Sequence, residues 1–255
     1  VQTSTNRFKQ ALQQGRQQLG FFSTLGSSAL AELFAGCGFD WILLDTEHSP
    51  NDMPEVVAQL QAMAAFDVSA IVRPAWSDMV LVKRLLDAGA QSLLIPCVQS
   101  AQEAQAAVSY TRYPPNGVRG VSGSSRAAKY GLNTSYLKTA EPELCVIVQI
   151  ETLEGLRNLE SIAAVDGVDA VFIGPADLAA SMGHIGNGQH PEVQAAVDDA
   201  FRRLKAIGKP AGYLTLNEEE AQRRITQGVE MVGVATDTSI ITRGAKALVQ
   251  RLTPR

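Results

Sequence analysis

Eight short runs of Val, Ile, Leu and Phe recur along this chain, and each is followed by a stretch of helical periodicity. The runs are LGFFST (19–24), DWILLD (40–45), SAIVR (69–73), QSLLIP (91–96), CVIVQI (145–150), DAVFIG (169–174), PAGYL (210–214) and MVGVAT (231–236). Near-continuous apolar runs of strand length suit parallel strands covered on both faces. Amphipathic stretches such as MPEVVAQLQAMAAF and SDMVLVKRLLDAGA lie between them. Eight rounds of strand and helix predict an α/β fold closed into a (β/α)8 TIM barrel. An open doubly wound sheet is the competitor, disfavoured because no GxGxxG follows the first strand. One domain over 1–255 is expected, since barrels reach this size without splitting.

Two connections are long. The segment 97–143 holds a helix, AQEAQAAVSY, and then TRYPPNGVRGVSGSSRAAKYG, too rich in Pro, Gly and Ser for one regular element. Taken as a strand-to-helix loop, it belongs at the catalytic end of the barrel, where long loops are usually functional. The other, SMGHIGNGQHPEVQ (181–194), ends in a helix start at Pro191.

Several apolar runs end in a polar residue: Asp45, Arg73, Gln149 with Glu151, and Asp177 close the runs FDWILLD, AIVR, CVIVQIE and VFIGPAD. Barrel enzymes keep their chemistry at the C-terminal ends of strands, so this pattern predicts an active site. Glu151 and Asp177 stand at adjacent strand ends. Two carboxylates there either cap helices and pair with cations, or share a divalent ion such as Mg²⁺ or Mn²⁺, with water and substrate completing its shell. Gln149 lies two positions before Glu151 and shares its strand face. Arg73 is followed by Pro74 and is either a rim salt bridge or a stabiliser of developing negative charge. Asp45 and His48 fall in one turn, where a carboxylate beside an imidazole makes a general base near neutral pH. Gly174, Pro175 and Ala176 lead into a helix and offer small residues that let a carboxylate approach. His184 and His190 read as structural or peripheral.

Composition narrows the chemistry. The net charge of −4 and the absence of a basic block give no reason to expect nucleic acid or an anionic membrane as partner. No apolar stretch reaches the length of a membrane span. The opening VQTSTNRFKQALQQG reads as a polar lead-in to a helix rather than a leader. Cys37, Cys97 and Cys145 lack CxxC spacing, which predicts buried reduced thiols and a cytoplasmic home. No structural zinc site has ligand spacing. The seven lysines, Lys9, Lys83, Lys129, Lys138, Lys205, Lys209 and Lys246, all fall away from the C-terminal ends of the strands. A Schiff base is therefore not expected, and a metal must withdraw the electrons.

Taken together, GFDWILLDTEHSPND, VRPAW, LLIPCVQ, RYPPNGVRGVS, VQIET, VFIGPADLAASMGH and VATDTSII resemble the HpcH/HpaI aldolase family, metal-dependent (class II) pyruvate aldolases, over nearly the whole chain. The resemblance implies that Glu151 and Asp177 hold a divalent metal ion (Mg²⁺, Mn²⁺ or Co²⁺). It implies that Arg73 stabilises the pyruvate enolate and that His48, partnered by Asp45, is the acid/base dyad. Gln149 matches the glutamine beside the pyruvyl oxygen, and the amides of Ala176 and Asp177 match carboxylate contacts. It further implies a homohexamer in which the last helix, 238–252, swaps onto a neighbour through Ile240, Ile241, Ala245, Leu248 and Leu252. Two departures stand out. Thr46 replaces the family's usual glycine and is expected to restrict the turn beside the dyad. The segment GVSGSSRAAKYG is similar to the dehydro-deoxyglucarate branch, whereas VRPAW and the C-terminal motifs are similar to the hydroxy-oxoheptanedioate branch.

The expected reaction is reversible retro-aldol cleavage of a 4-hydroxy-2-oxo acid to pyruvate, or hydroxypyruvate, and an aldehyde. Ser124 and Arg126 in the long loop are expected to meet the aldehyde end. The alternatives are a phosphoenolpyruvate mutase-like barrel, which would want more cations for phosphate, and a citryl-CoA lyase-like one, which would want a CoA surface. A non-catalytic keto-acid-binding barrel is a third.

Overall fold

The computed structural model describes residues 2–253. Its eight strands are β1 (Gln18–Ser23), β2 (Trp41–Asp45), β3 (Ser69–Arg73), β4 (Ser92–Ile95), β5 (Cys145–Ile150), β6 (Ala170–Ile173), β7 (Ala211–Leu214) and β8 (Met231–Thr236). They close in sequence order, all parallel, with β8 pairing β1. All eight sequence-predicted strands are present, with ends within one residue.

The helices are α1 (Arg7–Gln13), α2 (Ser28–Ala35), α3 (Met53–Met63), α4 (Met79–Asp87), α5 (Ala101–Thr111) and α6 (Tyr136–Thr139). They continue with α7 (Leu153–Arg157), α8 (Leu159–Ala163), α9 (Pro175–Ser181), α10 (Pro191–Ala206), α11 (Glu218–Gln227) and α12 (Asp237–Leu252). Side-chain caps set several starts: Asp52 and Glu55 form a capping box at α3, and Asp78 accepts from the amides of Val80 and Leu81 at α4.

Strand alternation separates two cores. Ile42, Leu44, Val72, Leu93, Val146, Val148 and Val171 face the helices. Trp41, Leu43, Ile71, Leu94, Ile147 and Phe172 fill the barrel, and Phe8 and Leu12 of α1 close its lower end. Gly20 has no side chain for a specific reason: a Cβ there would stand 1.9 Å from the Trp41 ring. Continuing the inward parity upward, Leu43 leads to Asp45, Ile71 to Arg73, Ile147 to Gln149, and Phe172 to Gly174. That alternation carries polar groups to the mouth of a dry core.

The long segment after α5 corrects the sequence reading. Because α5 follows β4 and crosses the barrel first, residues 112–144 run from helix to strand at the N-terminal end, away from the mouth. Arg126 Nη1 donates to the Ala88 carbonyl at 2.6 Å, and the Ala127 amide bonds Asp87. Arg119 is fully buried there, donating to Asp87 and stacking on Tyr113.

The thiols also depart from expectation: Cys145 is buried, Cys97 half-buried and Cys37 exposed, all unpaired. At the other end of the chain, α12 buries only Asp237. Ile240 packs on the core, while Ile241, Leu248, Val249 and Leu252 are exposed. Among the described residues, no helix is long and apolar enough to cross a membrane.

Candidate active site

Three neighbouring strand ends supply one acidic wall. Glu151, one residue beyond β5, is only 5% exposed. Its Oε2 accepts from Gln149 Nε2, and its Oε1 accepts from the Cys97 amide at 2.8 Å. Cys97 lies in left-handed backbone (φ 54°), a conformation that costs on the order of 1 kcal/mol and here aims the amide at the carboxylate. Gly174 of the neighbouring β6 end makes room: a Cβ would sit 2.8 Å from Glu151 Oε2 and 3.2 Å from Gln149 Nε2. Burial first, and then the charge of Asp177, push the Glu151 carboxyl above its ordinary value, although Gln149 and Cys97 oppose this. Asp177, in the first turn of α9, is exposed and makes no side-chain hydrogen bond within the described residues.

The adjoining end of β3 supplies Arg73. Its Nε and Nη2 donate to the two oxygens of Asp45, each at 2.8 Å, and its guanidinium lies 5.5 Å over the Phe22 ring. Burial works against the cation, but the Asp45 hydrogen bonds and the charges of Asp45, Glu47 and Glu151 hold its pKa above the ordinary arginine value. Nη1 remains free of Asp45 and stands 3.0 Å from Glu47 Oε2. The structure thus pairs Asp45 with Arg73 rather than with His48. Asp45 has its side chain turned inward from a strand, whereas His48 lies three residues into the turn, 63% exposed, with Glu47 as its nearest carboxylate at 3.8 Å.

Glu47 is the residue that sequence reasoning passed over. It sits between Arg73 and His48, and its Oε2 is buried without an aligned hydrogen bond. Burial, with the Glu151 charge adding to it, raises its pKa even against Arg73. An acid inside the Asp45–His48 turn was a visible signal. Cys97 had none, because its contribution is a backbone amide. Thr46 proves to fasten the turn: its amide and hydroxyl both donate to the Arg73 carbonyl, at 3.0 and 2.6 Å. Its φ is not positive, so the glycine it replaces is not required by the backbone.

Asp45, Arg73, Gln149, Glu151, Gly174, Pro175, Ala176 and Asp177 all belong to the ends of β2, β3, β5 and β6. Ser124 and Arg126 do not join them, since both lie in the helix-to-strand segment at the opposite end of the barrel. None of the lysines with a placed bond reaches the mouth either; Lys9 and Lys209 hold carbonyls of Leu144 and Val168 at the lower end.

The family model for HpcH/HpaI aldolase/citrate lyase matches residues 18–243, which is nearly the whole barrel. The chain belongs to that family. Membership makes it a carbon–carbon lyase of the aldolase kind. A protein of Rhizobium etli named pyruvate aldolase is 53% identical over 98% of this chain and 99% of its own length. A 4-hydroxy-2-oxo-heptane-1,7-dioate aldolase of Klebsiella pneumoniae is likewise 53% identical, over 97% of this chain and 94% of its own. The crystal structure of an HpcH/HpaI aldolase/citrate lyase family protein from Burkholderia cenocepacia superposes with a TM-score of 0.95. It is 39% identical, covering 97% of this chain and 99% of that one.

Proposed function

We propose that this aldolase-family protein is a class II pyruvate aldolase, cleaving a 4-hydroxy-2-oxo acid to pyruvate and an aldehyde. The observation that carries the reading is a mouth in which acidic and carbonyl oxygens outnumber the donors that face them. Buried Glu151 feels the charge of exposed Asp177 there, Gln149 Oε1 is buried with no hydrogen-bond partner, and Glu47 Oε2 has only its ion pair with Arg73. Oxygen atoms in excess of donors fit a hard divalent cation. Glu151 and Asp177 would hold it. Such an ion supplies Lewis-acid polarisation of an α-keto acid.

The chain's own groups account for the remaining chemistry. Exposed His48 removes the 4-hydroxyl proton, with Glu47 supporting the imidazolium. As the C3–C4 bond breaks, its electron pair moves toward C2 and the former carbonyl oxygen gains negative charge. Arg73 faces that charge through Nη1, while Asp45 fixes the guanidinium plane. In this scheme Asp45 is a positioning residue. Protonation of C3 then completes pyruvate. Ala176 and Asp177, at the start of α9, offer amides to the substrate carboxylate.

The names of these relatives favour pyruvate and the heptanedioate skeleton. Glucarate-type acids and hydroxypyruvate as donor are finer alternatives. A cytoplasmic homohexamer with α12 swapped onto a neighbour also belongs to the proposal, supported by the exposed Ile241, Leu248 and Leu252. The deciding experiment measures pyruvate release from heptanedioate-, glucarate- and rhamnonate-type substrates, before and after dialysis against EDTA and after Mg²⁺, Mn²⁺ or Co²⁺ is restored. Full activity in the chelated enzyme, or borohydride trapping of pyruvate on the protein, would sink the class II assignment.

A further inference from the structure

A second group of potential ligands lies outside the mouth, in the loop from α9 to α10. His184 Nε2 stands 2.8 Å from Glu192 Oε2, and the His184 and His190 rings stack with centroids 3.6 Å apart. One ligand atom from each of His184, His190 and Glu192 lies within 4.8 Å of the others. The loop is organised to keep them there. The His184 amide bonds the Ala179 carbonyl, the Asn187 amide bonds the His184 carbonyl, and the His190 amide bonds the Asn187 carbonyl. His190 Nδ1 accepts the Glu192 amide at 3.3 Å as it caps α10, which leaves Nε2 as its outward nitrogen.

From this we infer that His184, His190 and Glu192 form a binding site for a borderline first-row cation of the Zn²⁺ or Ni²⁺ type, separate from the mouth. Two imidazoles and one carboxylate favour such an ion over Mg²⁺, which prefers oxygen alone. The ion takes the place of the proton between His184 Nε2 and Glu192 Oε2, and water completes its shell. Ligand atoms around a tetrahedral zinc, with bonds of about 2.1 Å, lie about 3.4 Å apart. The rings therefore tilt out of their stack to close the site, a movement open to half-exposed side chains. The bound ion ties the loop to the first turn of α10. The loop directly follows α9, which begins with the exposed Ala176–Asp177 turn.

The test titrates Zn²⁺ into the full chain in excess Mg²⁺, on a Glu151→Gln/Asp177→Asn background that removes the mouth as a competing site. The result expected is one Zn²⁺ per chain, with imidazole scattering in its X-ray absorption spectrum. His184→Gln and His190→Asn should each weaken it by about tenfold or more, a loss seen even when a ligand's supporting group is removed. His190→Asn keeps a side-chain acceptor for the α10 cap, so a folded variant is retained. Unchanged Zn²⁺ affinity in both histidine variants overturns the site. So does binding that disappears with Cys37→Ser, the exposed thiol.

Discussion

Glu151 at the mouth and Glu220 in the first turn of α11 are equally hidden, each 5% exposed, yet their carboxyls are displaced in opposite directions. Glu220 is held by Tyr213, Thr215, Gln189 and Arg224, and these donors outweigh burial to lower its pKa. Arg224, itself fully buried, adds Asp198 and Gln194 as partners and packs over Phe201 and Tyr213. Glu151 has two donors and faces another acid, so burial prevails and its pKa rises. A buried carboxylate surrounded by donors belongs to the framework. One left short of donors marks where something else is to bind.

The sharpest way to break this contrast is to neutralise each acid. Glu151→Gln should abolish pyruvate release, a loss of several kcal/mol in transition-state stabilisation and on the order of a thousandfold or more in rate. Its thermal midpoint without added metal should not fall, because the charge removed was poorly compensated. Glu220→Gln should do the reverse, costing about 3 kcal/mol in urea unfolding because it strips compensation from buried Arg224. If Glu151→Gln unfolds the protein and Glu220→Gln does not, the contrast is wrong.

Arg73→Ala comes next. Losing one oxyanion donor typically costs about 3–4 kcal/mol, roughly a hundredfold to a thousandfold in kcat. The loss should extend to proton exchange of pyruvate, since both reactions pass through the enolate. Near wild-type exchange would make Arg73 a structural residue that only pairs with Asp45 and Glu47.

A smaller effect is expected from Gly174→Ala. The new methyl meets Glu151 and Gln149 closely, so divalent-ion affinity should fall about 10- to 100-fold, the range typical for displaced supporting groups. Titration of Mn²⁺ followed by relaxation enhancement would measure this, with unchanged affinity counting against the close-packing argument.

The mildest test concerns the framework side. Burial first, and then Glu220, raise the Tyr213 hydroxyl from 10.0 to about 12. A folded pKa above the unfolded one means that the stabilisation is complete below pH 10 and is lost as pH rises through about 12. Tyr213→Phe should flatten that alkaline decline in urea unfolding. An equally steep decline in the variant would move the titration to another group.

Much of the mouth was legible because strand periodicity and polar termini are local signals. Arg73 and Gln149 with Glu151 each end or follow an apolar run, and closure of the sheet brings such ends together. The errors arose where direction matters. Arg126 and Ser124 were placed at the catalytic end because the long segment follows β4. The intervening α5 reverses the chain, so Arg126 emerges beside Ala88 at the other end, with Ser124 two residues before it. The Asp45–His48 contact is a similar case: proximity in sequence suggested a direct bond, but strand register sets Asp45 directly against Arg73.

By itself, then, the sequence determined the periodic elements, their number and their order, because burial of apolar faces at periods of 2 and 3.6 residues is a local constraint. Only the tertiary structure decided which polar side chain meets which. Pairing energies depend on distances of a few ångströms between groups far apart in the chain, such as Cys97 and Glu151 or Asp45 and Arg73. Closure of the barrel sets those distances, and with them which acids are compensated and which remain available to a ligand.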